Sequence, residues 1–366
     1  MQKTADRANR LNRSARRAAR RAGLRWVDDS GPGIERRRKG KSFFFVNSRG
    51  AKIKNETTLK RIKSLVIPPA WQEVWICSDS HGHLQCTGLD ARGRKQYRYH
   101  PRWREVRDES KYERLIAFAR ALPKIRRKVA AHLRHKGLDR ERVLATIVKL
   151  LETTLIRVGN EEYARQNHSF GLTTMLDRHV KVKRNGVVFK FAGKSGVDHE
   201  ISVATSQITR IIRECQDLPG QQLFQYLNEA DEVCDISSSD VNDYLREISG
   251  KEFTAKDFRT WAGTVIAAQA LQEFEDFDSK AAAKRNITRA IEAVAERLGN
   301  TVAVSRKCYV HPAIIDAYLD RSLIKTLKSR TEHELRRRIS QISPEEAAVL
   351  ALLQQRMERQ LGRSEK

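Results

Sequence analysis

GLTTMLDRHVKVKRNGVVFKFAGKSGVDHEISV, residues 171–203, decides how the chain is organised. Asn185-Gly186 stands between two alternating runs, a strong two-residue hairpin signal, and Lys194-Ser195-Gly196 marks a second turn before VDHEISV. The stretch therefore predicts a three-stranded meander with Lys194 displayed at its turn tip. The flanks read differently. SKYERLIAFARALPKIRRKVAAHLRH (110–135) and RERVLATIVKLLETTLIRVGNEEYARQN (140–167) repeat apolar residues at the spacing of amphipathic helices, and helices resume from about 204. The meander is thus a β interlude in a helical region.

Upstream, from Trp26 to about Trp103, short apolar runs (SFFFVN, SLVIPPAWQEVWICSDS, HGHLQCTGL, RKQYRYHP) are bounded by Gly, Pro, Asn, Asp and Ser. That pattern predicts a small antiparallel sheet. The fold class is α+β: a small N-terminal antiparallel β-sheet domain plus a larger, mainly α-helical domain holding the meander. Four segments are expected: a basic arm over 1–25, a β-rich domain over 26–108, a mainly helical domain over 109–325 and a C-terminal helical tail over 326–366. In the arm, Arg7, Arg10, Arg13, Arg16, Arg17, Arg20 and Arg21 line one helical face. In the tail, Ser343-Pro344-Glu345-Glu346 has the capping residue, first-turn proline and acids of a helix start.

The 366 residues carry 71 Lys plus Arg against 45 Asp plus Glu, a formal charge of +26, and the basic residues run through every segment. A polyanionic partner is the first expectation. Five cysteines without C-x-x-C spacing favour free thiols in a reducing compartment. No stretch approaches the roughly 18–20 apolar residues of a membrane span. The Arg-rich first 26 residues also fit an organellar transit peptide, but basicity throughout favours a nucleic-acid arm and a soluble, intracellular protein.

Two motifs invite stronger readings than their spacing supports. CSDSHGHLQC (77–86) holds Cys77, His81, His83 and Cys86, yet not as two paired ligand motifs, and its centre reads as a hairpin turn; no metal site is expected. FAGKS (191–195) imitates the end of a phosphate-binding loop, but Val188 stands where the first glycine is needed. Lys194 at a turn could still reach a backbone phosphate. Arg157 in LIRVGNEEY reads as the late part of an apolar helix, and Arg259 in KDFRTWAGT as the start of another. Tyr309 lies among Arg306, Lys307 and Cys308, just before the helix-breaking Pro312. Two arginines, a lysine and a tyrosine are what metal-free transesterification at a phosphodiester needs: nucleophile, oxygen-binding cations and an acid. From Arg92 to Arg107, seven basic residues and one acid interleave with Tyr97, Tyr99 and Trp103, a mixture suited to phosphates and bases.

The motifs RVGN (157–160), FAGK (191–194), KDFRTWAGT (256–264) and LGNT…SRKCYVHP (298–312) resemble, in order and spacing, those of the type IB DNA topoisomerases of poxviruses and bacteria. The likeness runs from about residue 26 to 320. It implies a C-shaped clamp around duplex DNA, most simply as a monomer, without membrane attachment, in the cytoplasm with the nucleoid. It implies that Tyr309 attacks the scissile phosphate to form a 3′-phosphotyrosyl link, that Arg157 and Arg259 stabilise the transition state, and that Lys194 protonates the departing 5′-oxygen. Strand rotation and religation would relax supercoils with no cofactor, neither ATP nor metal. Asn300, nine before Tyr309, stands where viral members and tyrosine recombinases have His; as an amide it can donate to a phosphate oxygen but carries no charge. Gln96, Tyr97, Tyr99 and Tyr163 match DNA-facing positions of the family. The rival readings are a tyrosine recombinase, which would carry H-x-x-R where this chain has Lys256-Asp257-Phe258-Arg259, and a non-enzymatic DNA-packaging protein, which explains charge but not the four motifs.

Overall fold

Period-two runs between Ile34 and Tyr99 form a five-stranded antiparallel sheet in a computed structural model that describes residues 16–40, 42–91, 93–274, 277–328 and 342–364. The chain divides into two units between Glu113 and Arg114. The first contains α1 (residues 16–21), β1 (Ile34–Lys39), β2 (Ser42–Val46), α2 (Glu56–Ser64), β3 (Gln72–Ile76), β4 (Leu84–Leu89) and β5 (Lys95–Tyr99). The sheet order is β2-β1-β3-β4-β5, so β5 is an edge strand. Inward residues Ile34, Val74, Ile76 and Cys86 pack with Ile62 of α2. Arg36 fastens the following loop, donating to the carbonyls of Pro68 (3.0 Å) and Trp71 (2.6 Å).

From residue 16 the Arg-rich segment belongs to this unit. Ala19 and Leu24 are buried against Trp103, and Arg25 exchanges backbone hydrogen bonds with His81 and His83, both 2.8 Å. Residues 1–15, with Arg7, Arg10 and Arg13, lie outside the described residues. The centre of CSDSHGHLQC forms the β3–β4 turn. Cys86 is fully buried, its thiol pushed up to about 11 by desolvation, and His83 uses Nδ1 to accept from Val27 N–H at 3.1 Å while stacking on Trp26. Among the described residues these Cys and His atoms do not gather at ligand distance.

The second unit is mainly helical. It takes in the C-terminal part of α3 (Pro101–His132), then α4 (Arg140–Thr154), α5 (Glu161–Asn167), the meander β6 (Val180–Lys183), β7 (Gly186–Ala192) and β8 (Asp198–Val203), and α6 (Ser206–Gln216). A hairpin of β9 (Gln225–Leu227) and β10 (Val233–Asp235) precedes α7 (Ser238–Ser249), α8 (Ala255–Glu273), α9 (Lys280–Leu298), α10 (Val302–Cys308), α11 (Pro312–Leu319), α12 (Ser322–Lys328) and α13 (Pro344–Ser364). The β9–β10 hairpin carries no sequence signal, because three-residue strands leave no alternation to read. The meander forms in the order β6-β7-β8, with its first turn one residue earlier than Asn185-Gly186 suggests. Lys183 pairs with Gly186, so Arg184 and Asn185 make the turn. Gly186 serves packing instead: a Cβ there would lie 2.7 Å from the carbonyl oxygen of Val203.

Helix α8 positions the rest. It is buried on most of its circumference through Phe258, Arg259, Trp261, Val265, Ala268 and Leu271, and its small residues let neighbours approach closely.

Candidate active site

The sequence predicts Arg157 inside a helix, but α4 stops three residues earlier. Leu155 takes left-handed angles (φ 60°) as the C-cap, its N–H donating to Leu151 O, and residues 155–160 run on as irregular chain. A left-handed leucine costs ~1–2 kcal/mol, and the reversal turns its carbonyl toward Arg259 Nη1, which donates to it. The chain beyond is fixed by close backbone contact. Leu172 and Thr173 N–H donate to the carbonyls of Arg157 (2.9 Å) and Val158 (2.7 Å). Gly159 has φ +107°, and a Cβ on it would meet Thr173 Oγ1 at 2.9 Å; one on Gly171 would meet Arg157 O and Gly159 Cα at 2.6 Å. The motif RVGN therefore needs its glycine, and GLTT is the part of the site that motif reading missed.

The end of α9 holds both guanidinium groups. Gly299 (φ +58°) terminates the helix, and Asn300 N–H returns to Ala295 O at 2.9 Å, which leaves the last carbonyls facing outward. Arg259 Nη2 donates to Leu298 O at 2.7 Å, and Arg157 Nη2 donates to Gly299 O at 3.0 Å. The partial negative charge of a helix C-terminus suits these cations. Arg157 Nη2 also donates to Asn300 Oδ1 at 2.5 Å. That contact fixes which way the amide points. Among the described residues, Asn300 Nδ2 is buried without a hydrogen-bond partner, as is Arg259 Nε.

Tyr309 caps α10, its N–H on Ser305 O at 3.0 Å. Its ring lies beneath the Arg259 guanidinium, whose Cζ is 5.3 Å from the ring centroid. The WAGT motif explains this placement: a Cβ on Gly263 would come within 2.7 Å of Tyr309 O, and Thr264 Oγ1 lies 3.3 Å from the same oxygen while accepting His311 N–H. Arg259 is 4% exposed, and burial, then the nearby charge of Arg157, pushes its pKa down to about 10 against the raising influence of Tyr309. It stays cationic at neutral pH. Arg157 is lowered by burial, with Tyr309 and Tyr163 acting in the opposite direction.

Arg157, Arg259, Tyr309 and Lys194 line one cleft of about 450 Å³, together with Tyr163 and Lys256. Lys194 is exposed at the turn between β7 and β8, where Gly193 N–H donates to Val197 O at 2.7 Å. FAGK leads through a single 3₁₀ turn (Lys194–Gly196) into strand β8 rather than into an α-helix, unlike a phosphate-binding loop. Tyr163 projects from α5, whose N-cap Asn160 accepts the Tyr163 N–H at 2.8 Å. Asn300 sits behind Arg157 rather than on the cleft wall. Lys256, which opens the KDFR run, lines the cleft as well, a position that the motif alone does not reveal.

Gln96, Tyr97 and Tyr99 belong to the first unit, on edge strand β5. Strand alternation separates them. Tyr97 and Tyr99 stack on one face, centroids 6.0 Å apart and nearly parallel, while Gln96 is on the other, its Nε2 donating to Asp90 Oδ2 at 2.9 Å.

Comparison with known proteins matches this architecture in both units. The catalytic core of eukaryotic DNA topoisomerase I matches residues 100–338, and the N-terminal domain of bacterial DNA topoisomerase IB matches residues 42–90. DNA topoisomerase 1B of Acanthamoeba polyphaga mimivirus is 31% identical over 296 residues, covering 78% of this chain and 87% of the relative. DNA topoisomerase 1B of vaccinia virus (strain Copenhagen) is 22% identical over 270 residues, 72% of this chain and 81% of the relative. With its two units matched in order and the first of these relatives aligned along most of both chains, the chain belongs to the type IB DNA topoisomerases, isomerases that act on DNA.

Proposed function

We propose that this topoisomerase relaxes supercoiled duplex DNA by nicking one strand through Tyr309 and resealing it, with neither ATP nor metal. The observation that carries the reading is the convergence of Tyr309, two arginines and Lys194 on one cleft. Tyr309 Oη attacks the scissile phosphorus, forming a 3′-phosphotyrosyl bond as the bond to the 5′-oxygen breaks. Lys194 gives that oxygen its proton and is recharged by the proton the phenol releases. Arg157 and Arg259 bind the non-bridging oxygens, where pre-oriented donors stabilise developing charge most effectively. On substrate binding Asn300, its amide oxygen held by Arg157, turns toward the same phosphate the Nδ2 that is buried in the free protein. One phosphodiester replaces another, so resealing needs no energy source. The enzyme works as a monomer that clamps the duplex, with Tyr97, Tyr99 and Gln96 contributing DNA contacts from the first unit, in the nucleoid of the cytoplasm.

Plasmid relaxation tests this. The protein should remove both positive and negative supercoils in EDTA without nucleotide, and Tyr309→Phe should retain DNA binding but neither nick nor relax. A Tyr309→Phe protein that still relaxed plasmid would overturn the mechanism. A requirement for ATP or divalent metal would overturn the cofactor-free reading.

A further inference from the structure

His199 belongs to none of the motifs above, yet it touches several of the elements that hold the cleft residues. It lies on β8, paired in register with Phe191 of β7, and its ring stacks on the Phe191 ring (centroids 5.2 Å apart, planes 26° apart). The far edge of the imidazole is wedged between two glycines. A Cβ on Gly193 would lie 2.6 Å from both Cδ2 and Nε2, and a Cβ on Gly299 would lie 2.6 Å from Cε1. Gly193 precedes Lys194, and Gly299 precedes Asn300. The same ring borders a small cavity of about 20 Å³, shared with Arg157, Arg259 and Arg297, directly behind the arginines.

We infer that His199 is a positioning residue: its ring is the spacer that sets the Lys194 turn against the Gly299-Asn300 turn and behind the two arginines. The inference rests on the reaction proposed above and adds a residue to its support. A spacer in this place works only while uncharged. The charged groups around it are Arg157 on the segment after α4, Arg259 on α8, Arg297 at the end of α9 and Asp198 on its own strand. Three are cations. Burial, then Arg157 and Arg259, lower the His199 pKa, while Asp198 opposes weakly. Protonation would add a further cation behind the arginines and push them out of register with the phosphate. With a folded-state pKa below the ordinary 6.5, the native protein resists protonation that the unfolded chain accepts. Stability should therefore fall as the pH drops from 6.5 to the lower folded-state pKa, activity should fall as the pH passes through that lower pKa, and neither should gain above 6.5.

Relaxation of a negatively supercoiled plasmid with enzyme in excess, from about pH 5 to about pH 9, tests the inference across the range in which histidine titrates. His199→Ala should slow relaxation by about 10²-fold, the cost of a small misplacement. His199→Gln fills the slot without titrating, so it should recover part of that loss and flatten the acid limb of the profile. Gly193→Ala should also be slow, because its Cβ meets the ring, and combining it with His199→Ala should cost no more than the worse single variant. His199→Ala at wild-type speed, or an unchanged acid limb in His199→Gln, would overturn the inference. If His199→Ala does not fold, the glutamine profile decides. An inert Tyr309→Phe protein alongside such a negative result would remove His199 and leave the proposed reaction standing.

Discussion

Arg259 is 4% exposed and donates to carbonyls at the ends of two helices, whereas Lys194, on the same cleft, stands exposed at a hairpin tip. The two residues settle the cost of ordering at different times. For Arg259 the side-chain entropy is spent during folding, so in the proposed reaction the guanidinium would meet a phosphate with no rearrangement left to make. Lys194 keeps its rotamer freedom until substrate arrives. Oxygen-binding cations gain from rigidity, because the charge they stabilise develops at a fixed place. A proton donor has to approach and withdraw, and a turn tip permits that. Substitutions on the buried floor should therefore damage folding and chemistry together, and those on the exposed rim should damage chemistry alone.

The largest effect should come from the floor. Arg259→Ala is expected to reduce single-turnover cleavage by about 10³-fold, in line with the loss of an oxyanion donor. It should also lower the unfolding midpoint, because the carbonyls of Leu155 and Leu298 lose their donor. Arg259→Lys should rescue neither quantity, since one ammonium cannot span both carbonyls and still face the cleft. A lysine variant with wild-type cleavage would show that charge alone matters here.

On the rim, Lys194→Ala should slow cleavage by about 10²-fold, within the usual range for a general acid. Its unfolding midpoint should match wild type. Replacing the 5′-bridging oxygen with sulfur, a leaving group that needs no acid, should restore most of the rate. If the oxygen and sulfur substrates were slowed equally, Lys194 would be binding phosphate rather than supplying a proton.

Asn300 lies between these extremes, and Asn300→Asp separates its two ends. The carboxylate keeps an acceptor for Arg157 Nη2 but has no N–H where Nδ2 now is. Cleavage should fall by about 10²-fold, as for other lost oxyanion donors, while the unfolding midpoint holds. Retained activity in Asn300→Asp would mean that the amide merely orients Arg157.

The contrast also marks how far the sequence could be read. Periodicity gave the sheet, the helices and the meander, because each forms from neighbours along the chain. The resemblance named Tyr309, Arg157, Arg259, Lys194 and Asn300, and the first four of these line one cleft. What could not be read is what holds them. Leu155 looks like another apolar helix residue, and nothing local announces that it ends α4 and turns its carbonyl to a side chain 104 positions away. Gly171 and Gly263 carry no turn signal either; each is small because a distant backbone passes close by. His199 occupies an ordinary alternating strand position. Such residues are defined by tertiary contact, which single-sequence patterns do not encode.

Glu346 extends the comparison to a residue that should matter for folding and hardly at all for chemistry. It lies in the first turn of α13, beyond the matched catalytic core, and it is capped by Ser343, whose N–H donates to Oε2 at 3.0 Å. Arg126 of α3 grips both of its oxygens at 2.8 Å, and Trp261, two residues beyond Arg259 on α8, donates Nε1–H to Oε1 at 2.9 Å. Arg126 also pairs with Glu152 of α4 at 2.5 Å. One carboxylate thus ties the C-terminal helix to α3 and to the helix that carries Arg259. With side chains 12% and 22% exposed, the Glu346–Arg126 pair is only partly shielded, so Glu346→Gln should cost about 2 kcal/mol, less than a fully buried pair. That is a fall of roughly 4–8 °C in the unfolding midpoint for a unit of this size. Burial alone would raise the Glu346 pKa, but hydrogen bonds and charge from Arg126, with Ser343 and Trp261, bring it below the ordinary 4.5. The stabilisation should therefore be complete above that value and vanish as the pH falls through the lower folded-state pKa, where wild type and Glu346→Gln converge. Cleavage at neutral pH and moderate temperature should stay close to wild type. A large loss of cleavage without loss of stability would place the C-terminal helix in the chemistry rather than beneath it.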